Sequence, residues 1–470
     1  MKSRTTAPRT PRSSRYSVPA LALATALWCG PFTPPAAAQE SDLEARLDHL
    51  VTRLDERRQT LDVPGLAIAV VHGGELVLAR GLGLARVEEE VPVTPETLFF
   101  IGSSTKAFTA TLAALLAEEG LVDLDEPIEE HIPGFRLSDA EAEPSLRDLL
   151  LHRTGLARMP LLWMPGSLTP AEMLPYIARA ELLSPFRSSF AYSNVNYTLA
   201  GHALGRATES DWETLVEERL LEPLGMQASG TRFADFEAAD QTAAGYRFDE
   251  ETTTFEKVPA RDLTPIAPAG AIYSNALDMA EWLELLLAEG EHGGRRLLAP
   301  ESIEETFRGQ IDLGPGVQYG LGWFVREWNG RRVVEHGGNI DGYACQVALM
   351  PEEELGFALL CNVTYSALQT ESQRLVWESL LEAPAGASES VAAAPSAGDL
   401  EPYVGAYEYA LAGYDMTVSI ENGKLAVDVP GQTVYLLLPP DDRGRWTFEL
   451  TDEIVVSFER DAEDLSLIHI

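Results

Sequence analysis

FFIGSSTKAFTATLAALLAEEG, residues 99–120, decides how the rest of this 470-residue chain is read. The segment carries Lys106, one of only four lysines (Lys2, Lys106, Lys257 and Lys424) in a chain that otherwise draws its cations from arginine. Lysine and arginine differ in one decisive respect: a buried ammonium can lose its proton near neutral pH and a guanidinium cannot. If Ser103 opens a helix, Lys106 lies one turn on and on the same face, which sets a tunable amine beside a hydroxyl. Such a pair can make serine a nucleophile. The apolar neighbours Phe100, Ile101, Phe108 and Leu112 argue against a solvated first turn with an N-cap serine.

Outward from this segment, LAIAVVHGGELVLARGLGLA (66–85) reads as two strands around the turn His72-Gly73-Gly74-Glu75, preceded by an amphipathic helix over 42–60. Residues 103 to about 310 are mainly helical in pattern. Strands resume in YGLGWFVREW, RRVVEHGG, YACQVALM and GFALLCN, and a helix closes the region around SQRLVWESLLE. The strands at the two ends predict one antiparallel sheet, with the terminal helices on one face and the helical insert on the other. This is an α/β (α+β) fold, with Ser103 where sheet and insert meet, a natural place for a cleft. PAGASESVAAAPSAG (384–398) reads as a linker, and 399–470 as a small all-β domain with an Asn-Gly hairpin. The closing DLSLIHI breaks the alternation, so the tail is expected to be foreign and the last strands missing.

The chain opens with Lys2, Arg4, Arg9, Arg12 and Arg15, an apolar run from Val18 to Trp28, and Ala36-Ala37-Ala38. Residues 1–38 are therefore expected to be a cleaved secretory leader, and residues 39–383 the main domain of an exported protein without a membrane span. A formal charge of −38 excludes nucleic acid as a partner, because phosphate binding needs a basic footprint. After cleavage Cys345 and Cys361 are the remaining cysteines. The simplest hairpin register puts them on opposite faces, so buried free thiols are expected, although an oxidising compartment would permit a disulfide.

Two further segments join S-x-x-K. In Tyr192-Ser193-Asn194, residues i and i+2 of an extended backbone point the same way, so Tyr192 and Asn194 can face one site. His336-Gly337-Gly338 sits at the end of the strand VVE, where paired glycines mark close approach by a ligand or another backbone. His152, in LLLHRTGL, is expected to stabilise a loop. There is no G-x-S-x-G elbow, H-E-x-x-H, C-x-x-C or P-loop, so no metal, nucleotide or other cofactor is expected.

S-x-x-K, Y-x-N and H-x-G in this order, with LLLHRTGL, PLGM (223–226), PAGAIYSNALDMA (268–280) and YGLGW (319–323), resemble the serine β-lactamase and penicillin-binding-protein superfamily. The likeness is to its class C-like branch of D,D-peptidases, D-aminopeptidases and esterases, over about residues 50–380. The C-terminal part looks like the lipocalin-like domain that often follows such hydrolases. The resemblance implies that Ser103 is acylated by a small-molecule or peptide substrate and that Lys106 and Tyr192 relay its proton, with either as the base. It further implies that Asn194 orients Lys106 and substrate, and that the backbone N–H groups of Ser103, at a helix N-terminus, and Asn339 form an oxyanion hole. His336 and Gly338 would line the strand edge beside substrate, Gly338 leaving room for it. Where many β-lactamases carry K-T-G, His336 is a weaker, pH-dependent cation, which argues against efficient β-lactam hydrolysis. The competing reading is a receptor of the same fold that acylates without turnover or only binds cell-wall fragments.

Overall fold

The computed structural model describes residues 36–381 and 400–469, apart from short gaps at 165–167, 250–253, 315, 410–413, 422–423, 429–433, 441–444, 449–450 and 461–464. By its internal contacts the chain divides after Glu44. The described residues of the first part are the opening turns of helix α1 (Ala36–Thr60), which begins ahead of the predicted 42.

From Ala45 on, the organising element is a nine-stranded sheet that joins the two ends of the main domain. Its strands in chain order are β1 (Gly65–His72), β2 (Glu75–Arg86), β3 (Val91–Pro92), β4 (Ile311–Gly314), β5 (Val317–Tyr319), β6 (Phe324–Trp328), β7 (Arg331–Ile340), β8 (Tyr343–Met350) and β9 (Leu355–Cys361). In space they run β4-β5-β6-β7-β8-β9-β1-β2-β3, all antiparallel. Gly73 and Gly74 close the β1–β2 hairpin at φ +62° and +80°, a turn that two residues without Cβ adopt freely.

Both faces of the central strands are covered, so β1, β8 and β9 are almost wholly buried and, apart from His72 and Gln346, apolar or small. Toward the insert, helix α4 (Ala276–Leu287) packs on β1 and β9, with Leu283 and Leu287 against Gly356. On the opposite face, Trp377 of helix α5 (Ala367–Leu380) meets Phe357 with ring centroids 5.2 Å apart. Arg53 and Arg57 of α1 pair with Glu378 and Glu371 of α5 at 2.7 and 2.6 Å. Within the insert, helix α2 (Thr105–Glu118) is buried along nearly its whole length, and Phe108 stacks on Trp282 at 3.9 Å. Full burial of one such ring contributes roughly 1.5–3 kcal/mol. Helix α3 (Asn194–Ala207) lies beside α2.

Cys361 pairs with Ala344 and Cys345 with Leu360, so the two thiols project from opposite faces; both are buried and free. The register alone forbids a disulfide.

The C-terminal strands form a four-stranded sheet (Gly405–Tyr409, Tyr414–Glu421, Lys424–Asp428, Val434–Leu436) and a three-stranded one (Trp446–Phe448, Thr451–Arg460, Leu465–His469). Their small core includes Tyr407, Val418, Leu425, Val427 and Trp446. In the tail, Leu465–His469 is a strand paired with Ser457–Arg460, since ladder pairing uses backbone groups whatever the side chains. The leader up to residue 35 and the 384–398 linker lie outside the described residues. Among the described residues no helix is long and apolar enough to cross a membrane.

Candidate active site

Two glycines seat the turn that carries Ser103. Gly102–Ser104 is a single 3-10 turn leading into α2, so Ser103 precedes the α-helix proper instead of opening it. Gly102 takes φ +51°, and a Cβ there would lie 3.0 Å from the Asn339 nitrogen. A Cβ on Gly338 would lie 1.9 Å from the Ile101 oxygen and 2.8 Å from the Ser103 nitrogen. The two backbones therefore touch through paired glycines, and the N–H groups of Ser103 and Asn339 flank that contact. This corrects two expectations. β7 does not end at His336 but continues to Ile340, and the space beside Gly338 is filled by the chain's own turn and not kept for substrate. β6 pairs with β7 only as far as Glu335, so the β7 edge beyond it has no partner strand there among the described residues.

The adjacent hydroxyls have separate fates. Ser104 is buried and donates to the His336 carbonyl at 3.0 Å, anchoring the turn to β7. Ser103 faces a cleft of about 820 Å³, lined also by Tyr192, Asn194, His336, Gly337 and Asn339.

Lys106 has no solvent exposure. Its Nζ reaches Ser103 Oγ at 3.0 Å, Asn194 Oδ1 at 2.9 Å and the Ala269 carbonyl at 2.9 Å. The last partner comes from the short helix Ala267–Gly270, tied to α2 by Thr109 Oγ1 donating to the Pro268 carbonyl at 2.7 Å. Gly322 lets its strand connection approach: a Cβ there would stand 2.8 Å from the Lys106 oxygen. Burial, aided by the charge of Arg158, holds the Lys106 amine well below the ordinary lysine range. The Tyr192 ring lies 4.8 Å from Nζ. Burial pushes the Tyr192 phenol up, while its hydrogen-bonding contact with Ser103 pulls the other way.

Tyr192 and Asn194 share the cleft as the i, i+2 spacing predicts, while Ser193 turns inward and donates to the Ala157 carbonyl at 2.7 Å. His152 sets this segment. Its carbonyl accepts from the Ala191 N–H at 2.7 Å, and its Nδ1 accepts from the Ser193 N–H at 3.2 Å. One residue thus grips the chain on both sides of Tyr192, from a backbone at φ +54°. Its ring lies 4.3 Å from that of Tyr192. With Nδ1 accepting, the proton sits on Nε2, which is buried without a hydrogen-bond partner among the described residues.

His336 differs from expectation in charge. It is buried, and burial lowers it to about 3, so it is neutral at physiological pH. Nδ1–H donates to the Gly337 carbonyl at 2.6 Å, leaving Nε2 to face the Tyr319 hydroxyl at 3.4 Å. A cation in the place of K-T-G is therefore absent; what stands there is a neutral ring.

Sequence reading passed over Gly102, the Ala269 carbonyl and Arg158. The first carries a signal, a glycine directly before the serine; a backbone acceptor and one arginine among many carry none. Glu281, Glu284 and His292 bring ligand atoms within 4.8 Å of one another, but they lie on and beside α4 and none lines the cleft. A groove of about 1020 Å³ adjoins the cleft and shares Arg261, Asp341, Thr364 and Tyr365 with it.

Residues 47–381 match the family described as Beta-lactamase. An unguisins hydrolase of Aspergillus campestris is 30% identical over 334 residues, which cover 66% of this chain and 61% of that protein. The chain spans about three-fifths of the length of the curated relatives it matches. Among solved structures, the octameric penicillin-binding protein homologue from Pyrococcus abyssi superposes with a TM-score of 0.67 at 24% identity, covering 89% of this chain and 94% of that one. A D-stereospecific amidohydrolase from Streptomyces sp. superposes at 0.58 with 23% identity, covering 75% and 100%. At these identities the likeness is one of fold.

Proposed function

Since the chain belongs to the β-lactamase family, within the serine β-lactamase and penicillin-binding-protein superfamily, we propose that it is an exported serine hydrolase acting through an acyl-enzyme on an ester, an amide or a D-amino-acid peptide. The observation that carries this reading is the environment of Lys106 Nζ. Asn194 Oδ1 and the Ala269 carbonyl can only accept, so they take the two hydrogens of a neutral amine. The lone pair is then left facing Ser103 Oγ at 3.0 Å. That geometry supports reading Lys106 as the base in the resting enzyme, with Tyr192, held as a neutral phenol, passing a proton to the leaving group.

In this mechanism the Ser103 oxygen bonds to the carbonyl carbon as its proton moves to Lys106. The new ammonium is steadied by the Tyr192 ring face 4.8 Å away. The Ser103 and Asn339 N–H groups receive the oxyanion, each such donor typically lowering the barrier by ~2.7–4 kcal/mol. Collapse expels the leaving group with a proton returned through Tyr192, and water activated at Lys106 releases the acid. His336, neutral and walled by Tyr319 and Phe324, shapes the cleft. The names of the relatives, an unguisins hydrolase and a D-stereospecific amidohydrolase, widen the substrate range to be tried.

The test is a panel of nitrophenyl esters, peptides ending in D-Ala and nitrocefin. Turnover of esters or D-peptides with little nitrocefin hydrolysis supports the reading. Stoichiometric acylation of Ser103 with no release from any substrate supports the receptor instead.

A further inference from the structure

Three arginines line the cleft, and two are neutralised on the spot. Arg326 binds Glu335 at 2.8 Å, and Arg261 is paired with Asp341. The third, Arg158, is exposed, and none of the described residues gives its guanidinium an ion pair or a hydrogen bond. Its guanidinium carbon lies 5.4 Å from the centroid of the Tyr192 ring, on the insert wall across from β7. With His336 neutral and Lys106 sunk beneath Ser103, Arg158 alone gives the lining side chains a net positive charge. This is notable in a chain with 73 acidic residues against 35 basic ones, where a carboxylate is easily found for a surface arginine.

We infer that Arg158 is a recognition site for an anionic group, a carboxylate in the simplest case, on the substrate that acylates Ser103. The inference rests on the hydrolase reading and narrows its substrate class. Arginine suits the task because its planar fork takes a carboxylate with two parallel bonds. The charged group would sit over Tyr192, against the insert wall, either on the acyl portion or on the leaving group.

Two matched ester pairs separate these cases. 4-Nitrophenyl hexanoate against the 4-nitrophenyl half-ester of adipic acid places the carboxylate on the acyl side. Phenyl acetate against 3-acetoxybenzoate places it on the leaving group. The wild type is expected to favour the charged member of one pair in kcat/KM, chiefly through KM. Arg158→Gln should cut that charged-to-neutral ratio about ten- to a hundredfold, the worth of a charge-assisted hydrogen bond. Arg158→Glu should cut it further, and Arg158→Lys should keep part of it. Reading a ratio separates recognition from any influence of Arg158 on Lys106 or Tyr192, which would act on both members alike. A wild-type ratio near one in both pairs, or a ratio unmoved in Arg158→Gln, would overturn the inference while leaving the hydrolase intact. Failure to turn over every ester and to label Ser103 would take both down.

Discussion

The two walls of the cleft are built from different materials. On the sheet side, the wall beside Ser103 is backbone: Gly102 against Gly338 and Asn339, where two glycines let two stretches of backbone touch. On the insert side it is side chains: Tyr192 and Asn194 project into the cleft from a segment gripped by His152, and Arg158 stands free at the mouth. Lys106 lies between, its Nζ within hydrogen-bond distance of one partner from each of three segments. The difference teaches where each kind of substitution should hurt. The backbone wall fails by collision, and the side-chain wall by loss of a proton path or of aim.

The largest effect is expected on the chemical side. Lys106→Arg keeps a cation but cannot offer a lone pair, so hydrolysis should fall at least about 10³-fold, within the range that a general base supplies. A folded variant with wild-type turnover would remove Lys106 from the mechanism. On the backbone wall, Gly338→Ala drives a methyl into the Ile101 carbonyl and displaces the nucleophile's turn. A shift near 1 Å costs roughly 10²-fold in kcat. Gly337→Ala is the milder counterpart, because its Cβ would meet the side-chain amides of Gln369 and Gln346, at 2.8 and 3.0 Å, and not a backbone carbonyl. Equal effects of the two alanines would mean that backbone collision is not what makes Gly338 necessary.

His152 sharpens the comparison further. Asparagine tolerates a left-handed backbone and places an acceptor near the Nδ1 position; glutamine reaches past it. His152→Asn should retain most activity, while His152→Gln should lose about ten- to a hundredfold in kcat by loosening Tyr192. Urea unfolding of both checks that each folds. Equal impairment would mean that the ring acts by packing alone.

The smallest effect is on stability. His336 is held at about 3 against an ordinary 6.5. As pH falls below 6.5 the unfolded chain takes a proton that the folded one refuses. Stability should therefore fall between about pH 6.5 and 3, at no more than ~1.4 kcal/mol per pH unit from this group. His336→Asn should flatten that part of a urea-unfolding pH series, and an unchanged slope would place the ring in a wetter setting.

Much of the fold was legible because its signals are local. The Gly73-Gly74 hairpin, the buried β8–β9 pair with opposed cysteines, and the Ser103–Lys106 spacing each follow from periodicity or turn chemistry within a short window. What could not be read is non-local. Glycines punctuate strands, so His336-Gly337-Gly338 looked like an ending, whereas β7 runs on because the nucleophile's turn fills the missing side-chain volume. The charge of His336 depends on burial by Tyr319 and Phe324, which are distant from it in sequence. The Ala269 carbonyl is backbone, and no residue type announces it.

The most direct measurement is the rate at which a fluorophosphonate labels Ser103 as a function of pH, with the adduct located by peptide mass. A single adduct on Ser103 is expected, formed at a rate that rises through one ionisation well below the ordinary lysine value and levels off, with no adduct in Lys106→Arg. Labelling of Lys106→Arg at wild-type speed, or a rate still climbing toward about pH 10.4, the ordinary lysine value, would contradict a neutral, buried amine as the group that takes the serine proton.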